Sequence, residues 1–335
     1  MRKIPSAEEQ IIFLKKIQTL FDDSSFSATY KYALLITLTN LAIEMGNDDG
    51  KELKIDSRLI AKRFSEIYWP QIREYSAGVR GTKSGILRQN KGGQAEIITT
   101  LLQIQEKTGQ DDFVTITEQK IWGQKLRKII RTVWENPVFY LQDQKDQFIY
   151  QYSPDRELLT LKPNAVFSLR QFSDYIIQYA KQGWIDHIKQ NRLNQEIIGP
   201  KDDLESFLFG SNRSTLSKIT SILLEYQNRK CFYCNKSVTK NSDVDHFIPW
   251  KKYPRDLAEN FVLSCPACNR SKSDMLAAPS YRDQWMTMAV NNKERSEEIA
   301  KNGFISDKEC CIRVASWAYT NSKLAKSILW HKQSG

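Results

Sequence analysis

The sequence predicts a mainly α protein with a small α+β module: a helical N-terminal region followed by a zinc-stabilised ββα unit. Three observations lead there. Apolar residues recur at helical spacing through most of the first 215 positions, and strand-like runs are few. Two Cys-x-x-Cys pairs, Cys231/Cys234 and Cys265/Cys268, bracket a short Asp-Val-Asp-His string. With 335 residues, two domains are a better expectation than one. The divisions read as 1–215 for a helical recognition or partner domain, 216–280 for the cysteine module, and 281–335 for a helical segment packing back on the body.

Ser6 with Glu9 three residues on forms a capping box, after which Ile11, Leu14, Ile17 and Phe21 suggest the buried stripe of a first helix. Residues 32–45 are apolar on most sides, as in a buried helix, and Gly46-Asn-Asp-Asp-Gly50 ends it. A third helix is expected over 56–69, stopped by Pro70. Residues 78–93 are rich in glycine and carry Arg80, Lys83, Arg88 and Lys91, a composition that suits a surface loop. Trp122, Leu126, Ile129, Ile130 and Val133 mark the next helix. Its Lys120, Lys125, Arg127, Lys128 and Arg131 read either as a solvated face or as a phosphate-tracking surface.

Residues 147–152 and 157–161 alternate weakly about Ser153-Pro-Asp, which suggests a hairpin. Phe172, Tyr175, Ile176, Tyr179, Trp184 and Ile185 then give a long amphipathic helix. The linker-like break is 199–203, a helix over 213–227 leads into the module, and 281–330 is helical again. Cys310 and Cys311 are expected to be buried thiols.

Composition narrows the function classes. A hydrophobic content of 41% with 15 Phe, 14 Tyr and 8 Trp is ample for packed cores and argues against global disorder. A net charge of +10 favours a polyanionic partner. Charge arrives too early after Met1 for a signal peptide, and no apolar stretch is long enough to span a bilayer. Four cysteines in metal-type spacing imply a reducing compartment, so a cytoplasmic protein without a membrane partner is expected.

The chemistry concentrates in the module. Each Cys-x-x-Cys places two thiolates on one tight turn, and two turns complete a tetrahedral zinc site with no position left for water. That zinc is structural, so any reaction lies elsewhere. Residues 243–249 read as a strand running into a turn. Period two puts Asp243 and Asp245 on one face and His246 on the other, so Asp245 and His246 converge only at a strand end or bulge. Phe261-Val-Leu263 supplies a second strand and 266–276 a helix, with Asn269 in its first turns.

Asp245-His246, Asn260 and Asn269 inside two cysteine knuckles resemble the HNH (ββα-metal) endonucleases, in a four-cysteine variant ending in asparagine. The Asp-Val-Asp-His string is also similar to the HNH segment of RNA-guided CRISPR effector nucleases, and the architecture is similar to bacterial restriction and anti-phage nucleases. The resemblance implies that His246 is the general base, for which an imidazole, ordinarily titrating near neutrality, is suited. It implies that Asp245 and Asn269 hold one catalytic Mg²⁺ or Mn²⁺, that Asn260 pins the loop after His246, and that Arg270 and Lys272 contact phosphate. DNA is the expected substrate, nicked one strand per protomer, and Asp243 reads either as support for His246 or as a solvated strand residue. An RNA-cleaving toxin and a non-catalytic zinc-stapled binding subunit are the alternative readings. A protein partner such as an ATPase subunit, and a homodimer, are left open.

Overall fold

The capping box forms: the Ser6 N–H donates to Glu9 at 2.7 Å and the Glu9 N–H to Ser6 Oγ at 3.2 Å, opening α1 (Ala7–Asp22). The computed structural model describes residues 4–22, 27–78, 81–199, 203–210 and 216–332. Arg80, most of the predicted linker (200–202) and the start of the helix expected from 213 lie outside the described residues. The chain divides into two units, Met1–Phe209 and Gly210–Gly335.

The first unit is built around α2 (Tyr30–Met45), which buries nearly its whole circumference, as its unbroken apolar run requires. Strand β1 (Leu53–Asp56) follows, then α3 (Ser57–Tyr68), whose N-cap Asp56 accepts the Arg58 N–H; the α-helix ends two residues before Pro70. Helices α4 (Glu96–Thr108), α5 (Phe113–Glu118) and α6 (Lys120–Val133) come next. The predicted hairpin is present as β2 (Tyr150–Tyr152) and β3 (Leu158–Leu161), but β3 also pairs with β1, so the sheet is a three-stranded antiparallel one in the order β1-β3-β2. Helix α7 (Pro163–Gln171) precedes α8 (Ser173–Gln190), which is the long helix expected from the stripe at 172–185, and α9 (Leu204–Phe209) ends the unit.

Helices α3, α7 and α8 pack on α2. The α8 backbone comes so close that a methyl group at Gly183 would fall 2.4 Å from the Tyr32 ring, which explains a glycine in mid-helix. Buried charges serve the same packing. Arg170 donates to the Ala42 and Ile43 carbonyls at the C-terminal end of α2 and pairs with Asp48 at 2.9 Å. Arg63 pairs with Glu44 at 2.7 Å.

Several expectations are corrected. On α1, Ile17 is buried and Leu14 and Phe21 pack against the core as expected, joined by Phe13, whereas Ile11 is 54% exposed. Tyr175 is likewise exposed, its ring lying parallel to Tyr179. The glycine-rich segment is irregular as expected, yet Leu87 and Gln89 are fully buried; the Gln89 side-chain Oε1 accepts from the Thr29 hydroxyl and Trp184 Nε1. Lys128 of α6 is ion-paired with Glu96, and Lys125 donates to Gln103, so part of that basic face is tied to α4.

In the second unit, α10 (Thr220–Tyr226) leads into a two-stranded antiparallel sheet, β4 (Asp243–His246) and β5 (Phe261–Ser264), in the register Asp243↔Ser264 to His246↔Phe261. Helix α11 (Pro266–Lys272) completes the ββα unit, followed by α12 (Pro279–Trp285), α13 (Lys293–Ala300) and α14 (Lys308–Leu324). These later helices close over the module. Trp285 stacks on Phe247 and donates to the Glu259 carbonyl, and buried Arg295 donates to the Ala258 and Phe261 carbonyls. The Tyr319 hydroxyl donates to the Ala277 carbonyl at 2.7 Å. Cys310 and Cys311 are buried, and burial pushes the Cys311 thiol well up. The mainly α class with one small α+β module is what the structure has. Among the described residues no helix is long and apolar enough to cross a membrane.

Candidate metal and catalytic site

The knuckles form from local chain geometry. At the first, the Asn235 N–H donates to the Cys231 carbonyl and the Cys231 N–H to the Lys236 carbonyl, with Asn235 at a φ of 58° to close the turn. The second occupies the first turn of α11, where Cys265 is the N-cap and Pro266 starts the helix. The sulfurs of Cys231, Cys234, Cys265 and Cys268 all lie within 4.8 Å of one another, and those of Cys234 and Cys265 are 3.9 Å apart. Tetrahedral zinc with sulfurs at about 2.3 Å requires about 3.8 Å between them, so the donors fit the metal. Burial alone raises the Cys265 thiol, but the Cys268 backbone and the three neighbouring sulfurs outweigh it and bring it down to about 7.

β4 ends at His246, the strand end expected there, with His246 still paired to Phe261. The His246 Nε2 lies 2.7 Å from Asp256 Oδ1, and the ring sits between Trp250 and Phe261 at centroid distances of 5.2 and 5.1 Å. Asn260 is 2% exposed. Its Oδ1 accepts the Ile248 N–H at 2.7 Å and its Nδ2 donates to the Ile248 carbonyl at 3.0 Å, tying down the turn just after His246.

The acidic residues of β4 face α11 in two rungs. Asn269 Nδ2 donates to Asp243 Oδ2 at 3.0 Å. One step along, Lys272 Nζ lies 3.0 Å from Asp245 Oδ2 and donates to the His246 carbonyl at 2.9 Å. The Tyr233 hydroxyl also donates to Asp245, at 2.6 Å. Burial, and then the adjacent Asp245 carboxylate, push Tyr233 well above the usual phenol range, so its O–H stays on as donor. Tyr281 and Trp330 pack edge-on against the Tyr233 ring, and the Trp330 Nε1 donates to Ser271 on α11.

The structure therefore brings His246, Asp245, Asn260 and Asn269 into one module, with Asn269 reaching Asp243 rather than Asp245. Lys272, expected at the surface as a phosphate contact, is 0% exposed, its ammonium held by Asp245 and the His246 carbonyl. Arg270 is exposed. Sequence reasoning missed Asp256 and Tyr233. Ten residues separate Asp256 from His246 across an irregular loop, so no periodicity signals the pair; Tyr233, inside the first knuckle, read as a spacer. The carboxylate and amide oxygens of Asp243, Asp245 and Asn269 are hard donors of the kind a divalent cation takes.

Residues 12–197, more than half of the chain, match the family model described as Domain of unknown function (DUF8808). The chain belongs to this DUF8808 family. Residues 231–275, which hold all four zinc-type cysteines and the β4–α11 site, match the HNH endonuclease family. No curated protein and no solved structure matches the chain. The DUF8808 chain thus carries an HNH module, which supports nuclease activity on nucleic acid with a divalent metal.

Proposed function

We propose that this chain is a metal-dependent HNH endonuclease that hydrolyses phosphodiester bonds in DNA, leaving 5′-phosphate and 3′-hydroxyl ends. The observation that carries the reading is His246, held by Asp256 and packed against two aromatic rings, within the segment that matches HNH endonucleases. Asp256 accepts from the His246 Nε2–H, which leaves Nδ1 as the nitrogen that takes the proton of the attacking water. Asp256 then balances the imidazolium that results. Asn260 acts through His246: by locking Ile248 it holds the turn that aims the ring. A divalent cation, Mg²⁺ or Mn²⁺, bound by the carboxylate and amide oxygens supplies charge neutralisation at the phosphate and at the leaving 3′ oxygen. Arg270, exposed on α11, approaches a neighbouring phosphate. One such site cuts one strand, so a double-strand break takes two protomers or two encounters.

Resemblance to bacterial restriction and anti-phage nucleases supports a role in defence, and the net charge of +10 supports a nucleic-acid partner. The test compares end-labelled DNA and RNA of matched sequence, incubated with zinc-loaded protein and Mg²⁺. Cleavage of DNA is the expected result. Cleavage of RNA alone would replace this reading with a ribonuclease toxin, and cleavage of neither would contradict it.

A further inference from the structure

Helix α6 of the DUF8808 unit carries five cations, Lys120, Lys125, Arg127, Lys128 and Arg131, and no acidic residue. Lys125 and Lys128 are spent on α4, through Gln103 and Glu96. The other three are exposed and stand seven and then four residues apart. They therefore share one face of the helix and form a row about 16 Å long.

This helix ends beside a cavity. Pro137 has no N–H to give, and the chain continues in a π turn over Trp134–Val138, where Asn136 Nδ2 donates to the Thr132 carbonyl at 2.8 Å. The cavity measures about 500 Å³, within the roughly 300–1,000 Å³ of small-molecule sites. Residues of α6 and its π turn line it together with Asn90, Tyr30 and the start of α4. Its carboxylates are neutralised, Glu96 by Lys128 and Glu135 by Arg156, so the charge that Arg131 adds is a net positive one.

The remaining lining can donate and accept. Asn90 Oδ1 accepts the Gly92 N–H at 3.1 Å, so its amide NH₂ stays a donor, and Asn136 keeps its amide oxygen as an acceptor. Burial raises the Tyr30 phenol to about 12, which keeps its O–H on as a further donor. Mixed donors and acceptors around a cavity are what the edge of a nucleobase needs. One turn past Asn136, Phe139 and Tyr140 are 45% and 59% exposed, their rings edge to face at 4.8 Å. Adjacent exposed rings of this kind offer a surface on which bases stack.

We infer that this face of the DUF8808 unit binds a single strand of nucleic acid. Its phosphates follow Lys120, Arg127 and Arg131, one base enters the cavity, and a neighbouring base stacks on Phe139 and Tyr140. A duplex keeps its bases paired and stacked, so the cavity takes only an unpaired one. The inference goes beyond the nuclease reading and does not depend on it, because binding is read apart from cutting.

The test follows the fluorescence anisotropy of labelled single strands, DNA and RNA of matched sequence. The protein is the full zinc-loaded chain carrying His246→Ala, with no Mg²⁺ added. Adding Arg127→Ala/Arg131→Ala is expected to weaken binding at least about tenfold and to lower the salt slope by about 1.4. Tyr140→Ala is expected to weaken it at least about fivefold. Lys107→Ala/Lys145→Ala removes the same charge from exposed positions elsewhere in the unit and should stay within about twofold. Equal losses in the two double variants would mean diffuse attraction and overturn the inference. So would a duplex of the same sequence bound as tightly as the single strand. Iododeoxyuridine cross-linking gives a check without substitutions in this face: marks on Tyr30 or Tyr140 are expected, and marks confined to 231–275 would overturn it. No binding of either strand would also overturn it, while cleavage by the wild type would still decide the nuclease reading.

Discussion

The two units use buried charge differently. In the helical unit, buried ions end on the fold itself: Arg170 on the last carbonyls of α2, Arg63 on Glu44. In the zinc unit Arg295 likewise ends on the Ala258 and Phe261 carbonyls, but a second buried chain, Tyr233 to Asp245 to Lys272 to the His246 carbonyl, leads to groups at the edge of burial, His246 with Asp256 and Asp243 with Asn269. The first arrangement only closes a core. The second holds a reactive edge in place, which a structure needs where oxygen ligands and a base must keep their spacing.

If that contrast is right, the zinc unit collapses when its frame is removed and the helical unit does not. Cys231→Ser, or chelation of the metal, is expected to remove roughly 10 kcal/mol of metal-linked folding free energy from the zinc unit. Hydrogen exchange would then show protection lost over 216–332 and kept over the α2 core; a zinc-free chain protected throughout would break the comparison. Next in size is Lys272→Met, which leaves Asp245 buried without its cation and is expected to cost about 3–5 kcal/mol in denaturant unfolding. A cost below about 1 kcal/mol would mean that the Asp245–Lys272 pair is solvated and holds nothing.

A smaller effect belongs to the helical unit. Burial, and then the Lys91 charge, lower His187 to about 4. The unfolded chain, with a histidine near 6.5, takes up the proton first as pH falls. The stability linked to neutral His187 is therefore full above about pH 6.5 and is lost as pH falls through about 4, by about 3 kcal/mol at most. Thermal unfolding from pH 7 to 4 should be steeper for wild type than for His187→Gln; equal slopes would place the acid sensitivity elsewhere. The smallest change is Gly183→Ala, where crowding of Tyr32 costs about 1–3 kcal/mol and the better helix former returns about 1. A net loss of about 1 kcal/mol is expected, and a stabilised variant would show that the α2–α8 approach is slack.

What could be read from the sequence follows the range of the interactions. The cysteine pairs and the Asp-Val-Asp-His string were legible because their spacing is local and encodes a turn and a strand end directly. The capping box at Ser6 was legible for the same reason. Lys272 was read as a phosphate contact because lysine near a helix start is ordinarily solvated. Only packing of that helix face on β4 reveals that Asn269 and Lys272, three apart, both turn inward. The third strand escaped notice because Leu53–Asp56 pairs with a partner about a hundred residues on. Helix α4 has a weaker local signature, because its Ile97-Ile98-Thr99-Thr100 run is β-branched.

The central claim is that His246 is the base of a metal-dependent nuclease. Supercoiled plasmid incubated with the zinc-loaded chain, with and without Mg²⁺, beside the His246→Ala variant, tests it most directly. The account predicts nicking that needs the metal and falls by about a hundredfold or more in the variant. Nicking by the purified variant at more than about one per cent of the wild-type rate would contradict it.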